Sequence, residues 1–128
     1  MKKLTFLLLA MMLLTACGQD TEKDQGAVYM NITAEKAKKI MDSEEGYIIL
    51  DVREQDEYDA GHIPGAILIP YTQIEEKANE MLQDKDQLIL VYCRSGRRSK
   101  IAAEALAELG YTNIKEFGGI IDWSYEAE

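Results

Sequence analysis

Cysteine occurs only twice in these 128 residues, at positions 17 and 93, and histidine once, at 62. A framework of several disulfides is therefore excluded. No apolar run reaches the ~20 residues that span a bilayer as a helix; the longest, Leu4 to Leu14, has eleven and is broken by Thr5. Positive charge is scarce too. Fourteen Lys and Arg stand against 23 Asp and Glu, for a formal net charge of −9 and a pI near 4.6. That balance argues against sequence-independent nucleic-acid binding, which needs clustered cations against phosphate. Internal repeats and low-complexity tracts are absent. What is present, 47% apolar and 29% charged residues, is the composition of a globular domain. The length allows one such domain and a short appendage.

The appendage is at the start. Lys2 and Lys3 precede the apolar run, and Leu14-Thr15-Ala16-Cys17 follows it. Basic flank, short apolar stretch and small residues before a cysteine resemble the lipobox of bacterial lipoproteins. The resemblance implies cleavage before Cys17 and a diacylglycerol on its sulfur. Residues 1–16 are then a signal peptide, 17–27 a polar tether, and 28–128 the folded domain, anchored to a bacterial membrane outside the cytoplasm. Loss of Lys2 and Lys3 leaves 12 basic against 23 acidic residues, or −11. With lipid on Cys17, Cys93 has no disulfide partner. A lone thiol in an oxidising compartment must be buried or used.

Hydrophobic periodicity predicts strands over Val28–Ile32, Tyr47–Leu50, Ala66–Ile69, Leu88–Tyr92 and Ile114–Phe117. Helices are predicted over Ala34–Ser43 with Thr33 as cap, Glu54–Asp59, Thr72–Leu82 and Ser99–Leu109. Continuous apolar strands alternating with helices indicate an α/β fold: a mostly parallel five-stranded sheet with helices on both faces. Ligands of such sheets bind beyond the carboxyl ends of the strands. Cys93 stands there, directly after Tyr92.

Four of the 12 remaining basic residues, Arg94, Arg97, Arg98 and Lys100, fall in the seven positions after Cys93, and a helix begins among them. On so acidic a chain this reversal of sign needs a local reason, and an anion supplies it. The thiolate is the nucleophilic form of cysteine, and cations and helix N-termini favour it. Gly96 relaxes the loop so that backbone N–H groups can turn toward the sulfur.

Cys93-Arg94-Ser95-Gly96-Arg97-Arg98-Ser99 resembles the active-site loop of single-domain rhodaneses. Asp51-Val52-Arg53 with Glu57-Tyr58, Gly61-His62-Ile63-Pro64-Gly65-Ala66, and Gly118-Gly119 with Trp123 resemble further motifs of that family, in order, from about Val28 to Ser124. The resemblance implies a rhodanese-like fold and a sulfurtransferase. Cys93 takes sulfane sulfur from thiosulfate or a persulfide and passes it to a thiol, protein or other thiophilic acceptor, with no metal and no organic cofactor. Arg94, Ser95, Gly96, Arg97, Arg98 and Ser99 form the substrate loop, which Arg98 closes. Asp51 and Arg53 brace it, with Arg94 or Arg98 as partners; Glu57 either braces it in the same way or is a solvated carboxylate; and His62 serves a turn rather than acting as base. Glu57 stands where the two-domain members place a cation that helps bind thiosulfate, which puts thiosulfate as natural donor in doubt. A monomer is expected. Two other readings stay open: a sulfur carrier or interaction module without turnover, and a phosphatase or arsenate reductase on the same fold. The last has arginine six residues after its cysteine, where this chain has Ser99.

Overall fold

The computed structural model describes residues 28–128. The expected signal peptide (1–16) and the expected tether (17–27) with Cys17 lie outside the described residues. Five strands form one sheet: β1 (Met30–Asn31), β2 (Ile48–Asp51), β3 (Ile67–Leu68), β4 (Ile89–Cys93) and β5 (Ile114–Gly119). Their order is β1-β5-β4-β2-β3, and every pair is parallel. Four helices connect them: α1 (Ala34–Ser43), α2 (Gln55–Ala60), α3 (Ile74–Met81) and α4 (Arg97–Glu108).

β4 is central, and all five of its residues are buried, as expected of a strand covered on both faces. Because side chains alternate along a strand, Ile89, Val91 and Cys93 point one way and Leu90 and Tyr92 the other. The first set packs with Leu50, Val52 and Ile114 against Ile74 and Ala78 of α3 and Ala102, Ala103 and Leu106 of α4. The second packs with Ile49 and Phe117 against Ala37 and Ile40 of α1 and against Ile63. Helices therefore cover both faces, and Cys93 lies on the α3–α4 side.

β4 is also where the sheet changes direction. The chain runs outward from β2 to β3 on one side, then from β4 to β5 on the other. Such a switch opens a crevice at the strand carboxyl ends.

Several boundaries differ from expectation. The first predicted strand narrows to Met30–Asn31 and the third to Ile67–Leu68, both at sheet edges, with Ile32 and Ile69 each adding one further backbone hydrogen bond to the neighbouring strand. A 3-10 turn at Tyr71–Gln73 precedes α3, which starts at Ile74 rather than Thr72. More consequentially, α4 begins at Arg97, not Ser99. Gly96, at φ 111° and ψ −17°, makes the bend that lets the helix start two residues earlier. Ser99 is thereby turned inward in the first turn of α4, where it is fully buried.

Candidate active site

The site is assembled from three chain segments at the carboxyl end of β4. Cys93 is almost fully buried. Its Sγ accepts the Gly96 N–H at 3.0 Å, and the Ser99 hydroxyl lies 3.4 Å away. The chain thus doubles back around the sulfur within three residues, and the N-terminus of α4 adds its partial positive charge at the same place. Arg94, Ser95, Arg97 and Lys100 are exposed around the rim, and Arg98 is half-buried.

The second segment is the end of β5. Arg94 and Ser95 pass so close to Gly119 that a Cβ there would stand 1.9 Å from the Arg94 carbonyl oxygen. The same carbonyl accepts the N–H of Ile121 at 3.2 Å. The paired glycines read as a motif from sequence are therefore a backbone-to-backbone contact that holds the loop down.

The third segment is α2. Glu57 grips Arg98 in a two-pronged ion pair, with Nη1 to Oε1 at 2.6 Å and Nη2 to Oε2 at 2.9 Å. The Arg98 hydrogen bond is the main reason that the Glu57 carboxyl is held at about 2, against an ordinary value of 4.5. Burial works the other way, and the Glu54 N–H adds to the lowering. A depressed folded-state pKa stabilises the fold above the unfolded value, and the contribution is lost as pH falls through the folded one. The two side chains retain 18% and 25% exposure, so water screens the pair. Glu57→Gln is expected to cost about 1 kcal/mol at neutral pH. In urea unfolding the gap between variant and wild type should close as pH falls from 4.5 to about 2.

This geometry corrects two expectations. Arg98 does not stand free to close the loop over an anion; its guanidinium is committed to Glu57. Asp51 and Arg53 do not brace the loop through Arg94 or Arg98. They bind each other, with Arg53 Nη2 to Asp51 Oδ2 at 2.7 Å, and Arg53 also donates to the Gly61 carbonyl at 2.7 Å. Alternation explains this: Asp51 shares a sheet face with Ile49 and Tyr92, opposite to Cys93. The Tyr92 hydroxyl donates to Asp51 at 2.6 Å and accepts the Ile63 N–H at 3.0 Å. Burial first, then the Asp51 hydrogen bond, raises the Tyr92 pKa and keeps the phenol protonated. Asp51, Arg53 and Tyr92 thus tie β2 and β4 to the 61–63 turn beneath the site. His62 belongs to that turn. It stacks on Tyr58 at 3.8 Å between ring centres, and its backbone pairs with Glu128.

One site residue escaped the sequence reading. Glu116, on β5, is fully buried and accepts the Ser99 hydroxyl at 2.5 Å. The available signal was alternation: Glu116 falls on the same strand face as Ile114, which is the buried one.

A parallel α/β sheet with a buried cysteine in a tight loop between the central strand and a helix N-terminus defines a class of domain, and residues 33–126 match the model of the rhodanese-like domain. The chain belongs to that family. The thiosulfate sulfurtransferase PspE of Escherichia coli (strain K12) is 40% identical over 73 residues, covering 57% of this chain and 70% of PspE. YrkF of Bacillus subtilis (strain 168), whose name marks it a candidate sulfur carrier, is 37% identical over 112 residues, 87% of this chain but only 60% of YrkF. Among solved structures, a rhodanese-related protein from Thermoplasma volcanium superposes with a TM-score of 0.68 at 33% identity, covering 78% of this chain and 98% of that one.

Proposed function

We propose that the protein is a sulfurtransferase in which Cys93 carries sulfane sulfur as a persulfide. Cys93 Sγ attacks the outer sulfur of thiosulfate or of a low-molecular persulfide. The donor's S–S bond breaks, its electron pair leaves with sulfite or thiolate, and Cys–S–S⁻ remains. A thiol, protein or cyanide acceptor then attacks the outer sulfur and restores the Cys93 thiolate.

The observation that carries this reading is the Gly96 N–H on Cys93 Sγ at 3.0 Å. A loop closed this tightly suits one added sulfur atom rather than a tetrahedral oxyanion. The same loop speaks against phosphatase or arsenate-reductase chemistry. Ser99 occupies the position six residues after the cysteine, and it is bonded to a carboxylate, Glu116, rather than replaced by a cation. Pairing of Arg98 with Glu57 leaves Arg94, Arg97 and Lys100 to attract the donor. The test is sulfur transfer from thiosulfate and from glutathione persulfide to cyanide, alongside aryl-phosphate hydrolysis, on one preparation. Thiocyanate without phosphate release is expected; phosphate release without thiocyanate would overturn the reading. The name of YrkF keeps a second reading, sulfur carriage without turnover, which the same assay separates.

We further propose that this activity is held at a membrane. Lys2, Lys3, the Leu4–Leu14 run and Leu14-Thr15-Ala16-Cys17 support a lipid anchor on Cys17 and a site facing outward from a bacterial membrane. Wild type is expected to partition wholly into the detergent phase, and Cys17→Ser to accumulate as uncleaved precursor. A wild type found wholly in the aqueous phase would contradict the anchor.

A further inference from the structure

β5 carries a carboxylate into the interior beside the reactive sulfur. Glu116 is fully buried, and no salt bridge reaches it among the described residues. Three hydrogen bonds satisfy it. Its Oε2 accepts from the Asn31 side-chain amide, and its Oε1 accepts the Gly118 N–H at 2.8 Å and the Ser99 hydroxyl at 2.5 Å. The Asn31 NH2 group and the Gly118 backbone N–H are donors. The Ser99 contact can run in either sense, so a proton on Glu116 Oε1 can be aimed at Ser99 Oγ, whose own hydroxyl also lies 3.0 Å from the Gly96 carbonyl oxygen. Ser99 Oγ is in turn 3.4 Å from Cys93 Sγ.

We propose that Ser99 and Glu116 take up the thiol proton of Cys93, so that the three residues share one proton and one negative charge. In one arrangement the Cys93 S–H donates to Ser99 Oγ, and the Ser99 O–H donates to ionised Glu116. In the other, Glu116 is protonated and donates to Ser99, which donates to the Cys93 thiolate. Passing between them breaks the S–H bond, forms a new Oγ–H bond, and moves the former Ser99 proton to Oε1. The electron pair stays on sulfur, and the charge passes from Glu116 to Cys93. The attacking thiolate is thus produced without placing a second unpaired anion in the interior, which would be strongly unfavourable. Glu116 acts through Ser99 and is a positioning residue.

The groups facing this network are known from every side. Tyr29, ahead of β1, has its pKa raised by burial and by Glu104 and Glu116, which keeps it neutral. Asn31 approaches from β1, Ser99 and Glu104 from α4, Cys93 from β4 and the Gly118 N–H from β5. Near the sulfur are the Gly96 N–H and the charge of Arg98, itself held by Glu57.

The inference rests on Cys93 being the reacting group. Alkylation by iodoacetamide, followed on the Cys93 peptide so that Cys17 does not contribute, reads that thiol directly, so a failure of proton sharing is distinguishable from a failure of sulfur transfer. Two groups that share a proton titrate as a pair. The wild-type alkylation rate should therefore rise with pH in two steps separated by a flat region. Between about pH 7 and about pH 6, wild type should change by less than about twofold, while Glu116→Gln should show a single rise and fall about tenfold. Ser99→Ala should narrow the flat region, because the hydrogen-bonded path is gone. A single rise in wild type overturns the proposal whatever the variants do, as does a flat region that persists in Glu116→Gln. A wild-type profile in Ser99→Ala overturns the path through the hydroxyl, and this variant decides the matter if Glu116→Gln does not fold.

Discussion

Cys93→Ser is expected to lose sulfur transfer entirely while remaining folded. The substitution exchanges one atom in a site that is buried and closed by the Gly96 N–H. A hydroxyl is smaller than a thiol and accepts the same hydrogen bond, so the packing of β4 against α4 should survive. The chemistry should not, because a serine oxygen near neutral pH is neither ionised nor able to hold sulfur in a bond as easily formed and broken as S–S. Transfer at the level of buffer alone, together with a wild-type unfolding midpoint, is the expected pair of results. Retained transfer would mean that the sulfur passes through another group.

Gly119→Ala should produce the largest structural effect. Its backbone, at φ −131° and ψ 154°, is one that any residue adopts, so no conformational strain is involved. The conflict is purely steric: the added methyl would stand 1.9 Å from the Arg94 oxygen, 2.3 Å from its carbonyl carbon and 2.5 Å from the Ser95 Cα. All three are backbone atoms, and no side-chain rotation relieves them. Either β5 or the loop must move, and the loop carries Cys93. Overpacking of this kind costs about 3 kcal/mol. For a domain near 100 residues that lowers Tm by about 15 °C. Transfer should fall with it even below the unfolding transition, since the Gly96 N–H would leave the sulfur. Thermal unfolding followed by circular dichroism, with the transfer assay at low temperature, checks both. A variant with wild-type Tm would show that the loop is not pinned at Gly119.

Chain order, the parallel sheet and the position of Cys93 were legible because each rests on a strong local pattern. Leu88-Ile89-Leu90-Val91-Tyr92 has the length and continuous apolar character of a strand buried on both faces, and it delivers the cysteine to the strand end. The excess of cations after Cys93 was equally plain against so acidic a chain. Partnerships were not legible, for two physical reasons. A continuous apolar run such as Ile48-Ile49-Leu50 does not reveal which face turns toward which helix, so Asp51 was placed near the loop although it lies across the sheet from it. Charged side chains are usually solvated, so sequence alone does not separate a bracing Glu57 from a solvated one, and nothing in it singles out Glu116. Glu57 takes up Arg98, and Glu116 is enclosed beneath Ser99. The start of α4 was missed because Gly96 was read as loop flexibility alone, when its positive φ also lets the helix begin at Arg97 and swing Ser99 inward.

The central claim is that Cys93 itself carries the sulfur, and the most direct measurement is the mass of the peptide containing it. The protein is exposed to thiosulfate or glutathione persulfide, freed of donor, and trapped with an alkylating agent before digestion. The Cys93 peptide should carry one additional sulfur atom, which disappears when cyanide or a thiol acceptor is added before trapping. Recovery of that peptide as the unmodified alkylated thiol after exposure to both donors would contradict the account.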